Sequence, residues 1–290
     1  MIKHLVVVGV GLIGGSFALD LKRQGQVARV TGIGRSRANL ETALERGIID
    51  TIGDDLASAV ASADLVMLAA PVGAMPALFA ELAAVLPPDC IVTDAGSTKL
   101  DVIAAARAGL GARIGQFVPG HPIAGAETNG SAAARLGLYA DKPYILTPLP
   151  ENTPADMAIV ESLWRGCGAD VVRMDAALHD RVFAAVSHLP HLLAFALMDE
   201  LASRPQAELY FRYAGAGLRD GTRIAGSHPE MWRDITLANR DALLEELDAL
   251  TEKLKSMRAL VAAKDGAALE QVFSRARQAR NNWLQGKYND

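Results

Sequence analysis

Along the first 174 residues, short β-branched or aliphatic runs alternate with stretches whose apolar positions recur every three to four residues. The runs at 5–8, 28–33, 65–69, 91–94, 144–147 and 170–173 are expected to be buried strands. Between them, 13–23, 38–46, 74–86, 99–108 and 155–166 carry helical spacing. Strand and helix alternating at this interval build βαβ units, whose right-handed crossovers cover both faces of a parallel sheet. The expected fold class is α/β over residues 1–174, a Rossmann-type doubly wound and mainly parallel sheet, followed by an all-α helical domain.

After Met174 the strand signals stop. Residues 175–203 read as one long helix that Pro190 should kink or break, because proline lacks the N–H of the helical ladder. A glycine-rich turn region is expected over 214–226, and Pro229 then opens a long helical pattern. Leu243, Leu247, Leu250, Leu254, Met257 and Val261 recur at spacings of 4, 3, 4, 3 and 4, a heptad-like seam. Lys264-Asp265-Gly266 should interrupt it before a last helix to about Leu284. The second domain, 175–290, is assigned to substrate binding and dimerisation. Its seam suits either an intramolecular core or a subunit contact; a homodimer through this domain is the expectation taken forward.

Charge narrows the partners. With 29 basic and 33 acidic residues the net charge is −4, so no overall basic field recruits nucleic acid or an anionic membrane. No apolar run reaches the roughly 18 residues of a membrane span. The N-terminus enters a strand-like run without a signal-peptide pattern. Cys90 and Cys167 lie far apart with no Cys/His cluster, so neither a metal site nor a disulfide framework is expected. Buried, reduced cysteines in a cytoplasmic protein with a small-molecule substrate fit these observations.

Chemistry enters at Gly9-Val10-Gly11-Leu12-Ile13-Gly14, where G-x-G-x-x-G follows a strand and opens a helix. Gly9 permits the tight turn, Gly11 lets backbone approach a pyrophosphate, and Gly14 allows close helix–strand packing. Free N–H groups near Leu12 and Ile13 would face that pyrophosphate. The second strand ends in Gly34-Arg35-Ser36, without the carboxylate that commonly accepts from an NAD ribose. Arg35 could pair with a 2′-phosphate and Ser36 donate to it, which favours NADP over NAD. Alternatively Arg35 is solvated, or stacks on adenine in an NAD enzyme. Ala70 and Pro71, after the third strand, are expected to line the dinucleotide cleft.

Four further segments carry polar residues in structurally awkward places: Asp94–Lys99, 120–127 (Gly-His-Pro-Ile-Ala-Gly-Ala-Glu), 187–191 (Ser-His-Leu-Pro-His) and 217–223 (Gly-Leu-Arg-Asp-Gly-Thr-Arg). Together with the glycine loop, and in this order from Val6 to about Asn239, they resemble the motifs of the prephenate/arogenate (cyclohexadienyl) dehydrogenase family of tyrosine biosynthesis. The resemblance implies NAD(P)-dependent oxidative decarboxylation of prephenate, L-arogenate or both, to 4-hydroxyphenylpyruvate or L-tyrosine. Hydride leaves the ring carbon bearing the hydroxyl, carbon dioxide leaves the opposite carbon, and the ring becomes aromatic.

By the same resemblance, His121 is the catalytic histidine that accepts from the ring hydroxyl, and Ser97 hydrogen-bonds near that hydroxyl and the nicotinamide. Ser97 could instead, or also, cap the helix that follows. Arg223 would grip the ring carboxylate with its planar fork. Arg219 would assist at the substrate side chain, where some relatives carry lysine. His191 would face that side chain while His188 supports the pocket, and Glu127 would gate the entrance. Asp220 is expected to orient Arg223 or cap a turn, and Trp232 to wall the pocket or fill the core. His4, His179 and His228 have no motif behind them.

Two other classes fit the architecture. A 3-hydroxyacid or imine dehydrogenase also joins a dinucleotide domain to helices, but many hydroxyacid enzymes use a lysine from the helical region. This chain has none between Lys142 and Lys253. A non-enzymatic redox sensor would not require Ser97, His121, His191 and Arg223 together. Tyrosine inhibition, if present, is expected to act at the active site, since no separate regulatory domain is read from the chain.

Overall fold

The computed structural model describes residues 1–125 and 128–287. Nine strands are present among them: β1 Ile2–Val8, β2 Val27–Ile33, β3 Thr51–Ile52, β4 Leu65–Leu68, β5 Ile91–Asp94, β6 Phe117–Val118, β7 Gly120–Pro122, β8 Pro143–Leu146 and β9 Asp170–Arg173. The helices of the sheet region are α1 Leu12–Arg23, α2 Arg37–Glu45, α3 Leu56–Val60, α4 Met75–Val85, α5 Leu100–Leu110 and α6 Pro154–Gly166. Beyond them lie α7 Ala176–Phe183, α8 Leu189–Ala202, α9 Ala207–Arg212, α10 Ala216–Thr222, α11 Pro229–Ala238, α12 Arg240–Ala262 and α13 Gly266–Leu284.

The main sheet has order β3-β2-β1-β4-β5-β6 and every pairing in it is parallel. Burial on both faces explains the apolar runs Leu5–Val8 and Leu65–Leu68, and the pleat divides their side chains. Leu5, Val7 and Met67 face one core with Phe17 and Trp164; Val6, Val8 and Val66 face the other with Phe79 and Phe117. In the first core the Trp164 ring stacks on Tyr144 at 4.2 Å and meets Phe17 at 4.6 Å.

Several expectations need correction. The runs near 144–147 and 170–173 are strands, but of a second sheet, β7-β8-β9, in which β7 is antiparallel to β8. Of these, β9 is largely exposed, with only Val171 buried. The short strands β3, β6 and β7 carry too few residues to show a period, although 117–119 does read as a strand end. The expected turn region at 214–226 holds α10 and a 3-10 turn, Arg223–Gly226.

The expected long helix at 175–203 is interrupted by a π turn, Ala184–His188. Its closing bond runs from Leu189 N–H to Ala184 C=O, five residues back, and Pro190 sits in the first turn of α8. Widening the turn by one residue lets Pro190, which has no N–H to donate, enter without leaving a helical carbonyl against its ring. Taken as one stretch, Ala176–Ala202 is long and apolar enough by composition to cross a membrane, which the sequence reading did not anticipate. Three of its polar residues, His179, Asp180 and His188, are buried and hydrogen-bonded within the protein.

Two compact units result, Met1–Arg240 and Asp241–Asp290. The first contains both sheets and α1 to α11. In the second, Lys264 adopts φ 56° and Asp265 caps α13 through Ala268 N–H at 3.0 Å, which ends the heptad-like helix at the expected place.

Candidate active site

Two loops meet at the carboxyl ends of β1 and β4. Gly9 has φ +95°, and a Cβ there would stand 2.5 Å from the Ala69 carbonyl oxygen and 2.9 Å from Ala70 N. A Cβ on Gly14 would stand 2.5 Å from the Gly9 carbonyl oxygen. Around Gly11, by contrast, a Cβ would meet nothing within 4 Å. Gly11 is the N-cap of α1 and offers no side-chain cap, so the first-turn N–H groups of Leu12, Ile13 and Gly14 have no intrahelical partner and could serve an anion. This cradle, tight at Gly9 and Gly14 and open at Gly11, fits the pyrophosphate of a dinucleotide. Ala70 and Pro71 follow β4 beside it, partly buried.

At the end of β2, Arg35 is 84% exposed, and its guanidinium lies 3.9 Å from Glu230 of α11. Ser36 Oγ accepts from Asn39 N–H and so caps α2, which leaves its hydroxyl hydrogen available. Asn39, not singled out from sequence, donates to the Val10 carbonyl at 2.7 Å and accepts from Ser131 N–H at 2.7 Å. It ties the glycine loop to the segment that follows His121 in the chain.

His121 lies within β7, opposite Ile145 of β8, just after the end of β6. Its Nδ1 is 2.9 Å from His179 Nε2. His179 Nδ1 is 2.8 Å from Asp180 Oδ1. The Asp180 carboxylate also accepts the backbone N–H of Lys99 and of Leu100, each at 2.8 Å, and thereby caps α5. Burial alone would raise Asp180, but the bonds from His179, Leu100 and Lys99 outweigh it and hold the carboxyl below its usual range.

An ionised Asp180 fixes the polarity of the line. Being an acceptor, it requires the proton of His179 on Nδ1, which leaves Nε2 of a neutral His179 as an acceptor. His121 must then donate from Nδ1, and its own Nε2 carries a lone pair. Desolvation first, then the cost of a second cation beside His179, the Lys99 ammonium and the cost of a second cation beside His188, hold His121 well below the ordinary histidine range, so it stays neutral at physiological pH. The Phe183 ring closes one side of it, centroids 5.0 Å apart.

The remaining residues form a second group against the first. Asn239 Nδ2 donates to the Asp180 carbonyl at 2.8 Å and to His188 Nδ1 at 3.0 Å. His188 is buried, which pushes its pKa down to about 4. His191 Nδ1 donates to the Ser187 carbonyl at 2.9 Å, and its ring stacks on Trp232 at 3.5 Å. Burial lowers the His191 pKa first, and the nearby Arg223 charge adds to this. Thus a continuous set of neighbours runs from His121 through Asp180, Asn239, His188 and Trp232 to His191 and Arg223. Ser97 is partly buried between β5 and α5 with its backbone toward His188; it does not cap α5, whose N-terminus is served by Asp180. Arg219 and Asp220 lie exposed on α10. Glu127 falls outside the described residues.

Sequence reasoning missed His179, Asp180 and Asn239. One signal was present: His179, Asp180 and Phe183 form the buried stripe of α7, where a histidine and an aspartate are out of place unless hydrogen-bonded.

Comparison with known proteins identifies the family. Residues 17–173 match the model of the prephenate dehydrogenase nucleotide-binding domain, and 175–275 that of the prephenate dehydrogenase dimerization domain. The cyclohexadienyl dehydrogenase of Zymomonas mobilis is 37% identical over 281 residues, 96% of this chain and 95% of its own. The prephenate dehydrogenase of Bacillus subtilis is 37% identical over 279 residues, 96% of this chain and 75% of its own. Among solved structures, prephenate dehydrogenase from Aquifex aeolicus, in complex with hydroxyphenyl propionate and NAD+, superposes with a TM-score of 0.91 at 35% identity, covering 97% of this chain and 98% of that one. The chain belongs to the prephenate/cyclohexadienyl dehydrogenase family of oxidoreductases.

Proposed function

We propose that His121 is the acceptor for the ring hydroxyl of prephenate or arogenate, and that Arg223 holds the ring carboxylate across the same cleft. The observation that carries this reading is the directed line Asp180–His179–His121, which leaves one imidazole lone pair uncommitted. As hydride departs from the hydroxyl-bearing carbon, the hydroxyl proton moves to His121 Nε2. The positive charge formed there is stabilised through His179 by the Asp180 carboxylate. Loss of carbon dioxide returns an electron pair to the ring, and the product oxygen recovers the proton from His121. The nicotinamide supplies the hydride acceptor; the chain supplies orientation, the proton site and anion binding.

Ser97, beside His188, would hydrogen-bond near the hydroxyl. His191, rigid against Trp232, would face the substrate side chain, with His188 behind it and Arg219 at the periphery. Residues 1–174 are assigned to dinucleotide binding, through Gly9, Gly11, Leu12, Ile13, Gly14, Ala70 and Pro71, and 175–290 to substrate binding and dimerisation. NADP is favoured over NAD because Ile33-Gly34-Arg35-Ser36 offers a cation and a hydroxyl to a 2′-phosphate and no carboxylate to a ribose. A homodimer fits the exposed apolar side chains of α8 and α9, among them Leu193, Leu197, Leu209 and Phe211. Cys90 and Cys167, buried and unpaired, suit a reducing cytoplasm.

The test is reduced-nicotinamide formation by purified enzyme with prephenate and arogenate, each with NAD and NADP. Turnover with at least one substrate, faster with NADP, is expected. No turnover in any combination would overturn the assignment, and a clear preference for NAD would overturn the role given to Arg35.

A further inference from the structure

Behind His121 lies an ion pair with no part in the proton or hydride transfer. Lys99 and Asp94 are each 0% exposed, with Lys99 Nζ 2.5 Å from Asp94 Oδ2. Lys99 Nζ also donates to the Gly120 carbonyl at 2.7 Å, and Asp94 Oδ1 accepts the Gly120 N–H at 3.0 Å. One ion pair therefore grips both backbone polar groups of the residue immediately before His121. Asp94 Oδ2 further accepts Gly96 N–H at 2.8 Å, steadying the loop that carries Ser97.

The main chain of the same lysine serves the other end of the line, since Lys99 N–H donates to Asp180 Oδ1 at 2.8 Å. Residue 99 thus touches the strand that carries His121 and the carboxylate that ends the relay. Gly120 has no freedom behind it: a Cβ would stand 1.9 Å from Tyr144 Oη, whose ring is stacked on Trp164.

Burying two full charges forfeits hydration that their attraction only partly offsets, and an apolar pair of similar volume is often at least as stable. Stability alone does not account for a lysine here. We propose that Lys99, anchored by Asp94, is a positioning residue for the dehydrogenation. Its side chain fixes the backbone bearing His121, and its ammonium disfavours a further positive charge on the His121–His179 pair. This rests on the reading of His121 as the acceptor.

The groups facing His121 are His179 of α7 with Asp180 behind it, Lys99 ahead of α5 with its partner Asp94 on β5, and His188 of the π turn. His179, Lys99 and His188 all add to desolvation in lowering its basicity.

The experiment is the pH profile of kcat/KM for prephenate at saturating dinucleotide, from about pH 5 to about pH 9, with full-length parent, Lys99→Met and Asp94→Asn. Lys99→Met is expected to lower kcat by about tenfold or more with KM within about threefold. Its acidic limb should move to higher pH, because a cation near His121 is lost. Asp94→Asn, which keeps the ammonium and removes the carboxylate, should move the same limb to lower pH. Shifts of opposite sign do not follow from a loosened fold. Limbs that stay put or move together would overturn the proposal. So would failure of both variants to fold, which would make the pair a stability element only. A His121→Asn variant that keeps the parent's acidic limb would instead overturn the reading of His121 itself.

Discussion

His121 can accept a proton only while its Nε2 lone pair is free, and its neighbours decide that. The carboxylate end of the line dictates the tautomer, and three nearby cationic or potentially cationic groups keep the ring neutral. Arg223 acts at a different stage. Its task is to bind an anion already present in the ground state, so Arg223→Ala should raise KM by about thirtyfold or more, on the order of 2–5 kcal/mol if the carboxylate is desolvated, with a smaller loss in kcat. Michaelis kinetics check this, and an unchanged KM would contradict it. His188 offers a stability readout. Its pKa falls from the usual 6.5 to about 4, because burial outweighs the Asp180 field. Between those values the unfolded chain binds a proton that the folded one refuses, so stability is full above about pH 6.5 and falls as pH drops toward 4. At about 1.4 kcal/mol per pH unit, this single group should cost roughly 3 kcal/mol over that interval. Urea unfolding of parent and His188→Gln near neutrality and near pH 4.5 should show a smaller loss in the variant; equal losses would refute the assignment.

Elements bring these residues together by local irregularities. The glycine loop is one. At Gly9 the positive φ and the carbonyl of Ala69 both exclude a side chain. Gly9→Ala is therefore expected to destabilise the fold by about 1–3 kcal/mol and to raise the dinucleotide KM by about tenfold or more. Thermal melting and cofactor titration measure the two effects, and a variant with parental values would show that the loop is not the binding site. The π turn is another, inserting one residue between Phe183, which closes on His121, and His191, which stacks on Trp232. Sequence shows a break at Pro190 but not its kind, because periodicity over five residues cannot separate a kink from a widened turn. Strands β1 and β4 were legible because burial on both faces leaves the apolar runs Leu5–Val8 and Leu65–Leu68. The assignment of β8 and β9 to a second sheet was not, since pairing partners far along the chain leave no local trace.

Across the whole molecule, the site is assembled from segments about a hundred residues apart, and this explains what the sequence could and could not disclose. His121, His188, His191 and Arg223 stand in recognisable local motifs. His179 and Asp180 stand in none; their meaning comes from β7 and from the start of α5, both remote in sequence. Asn239 likewise gains its role only where α11 ends against α7 and the π turn. The central claim is that this assembly presents one neutral imidazole to a substrate hydroxyl while a guanidinium holds the substrate. Steady-state kinetics of His121→Asn with prephenate test it most directly. The account predicts a fall in kcat of about 10²–10⁴ with KM within about threefold, because the lost interaction strengthens only as the proton moves. Parental turnover, or a loss confined to KM, would contradict it.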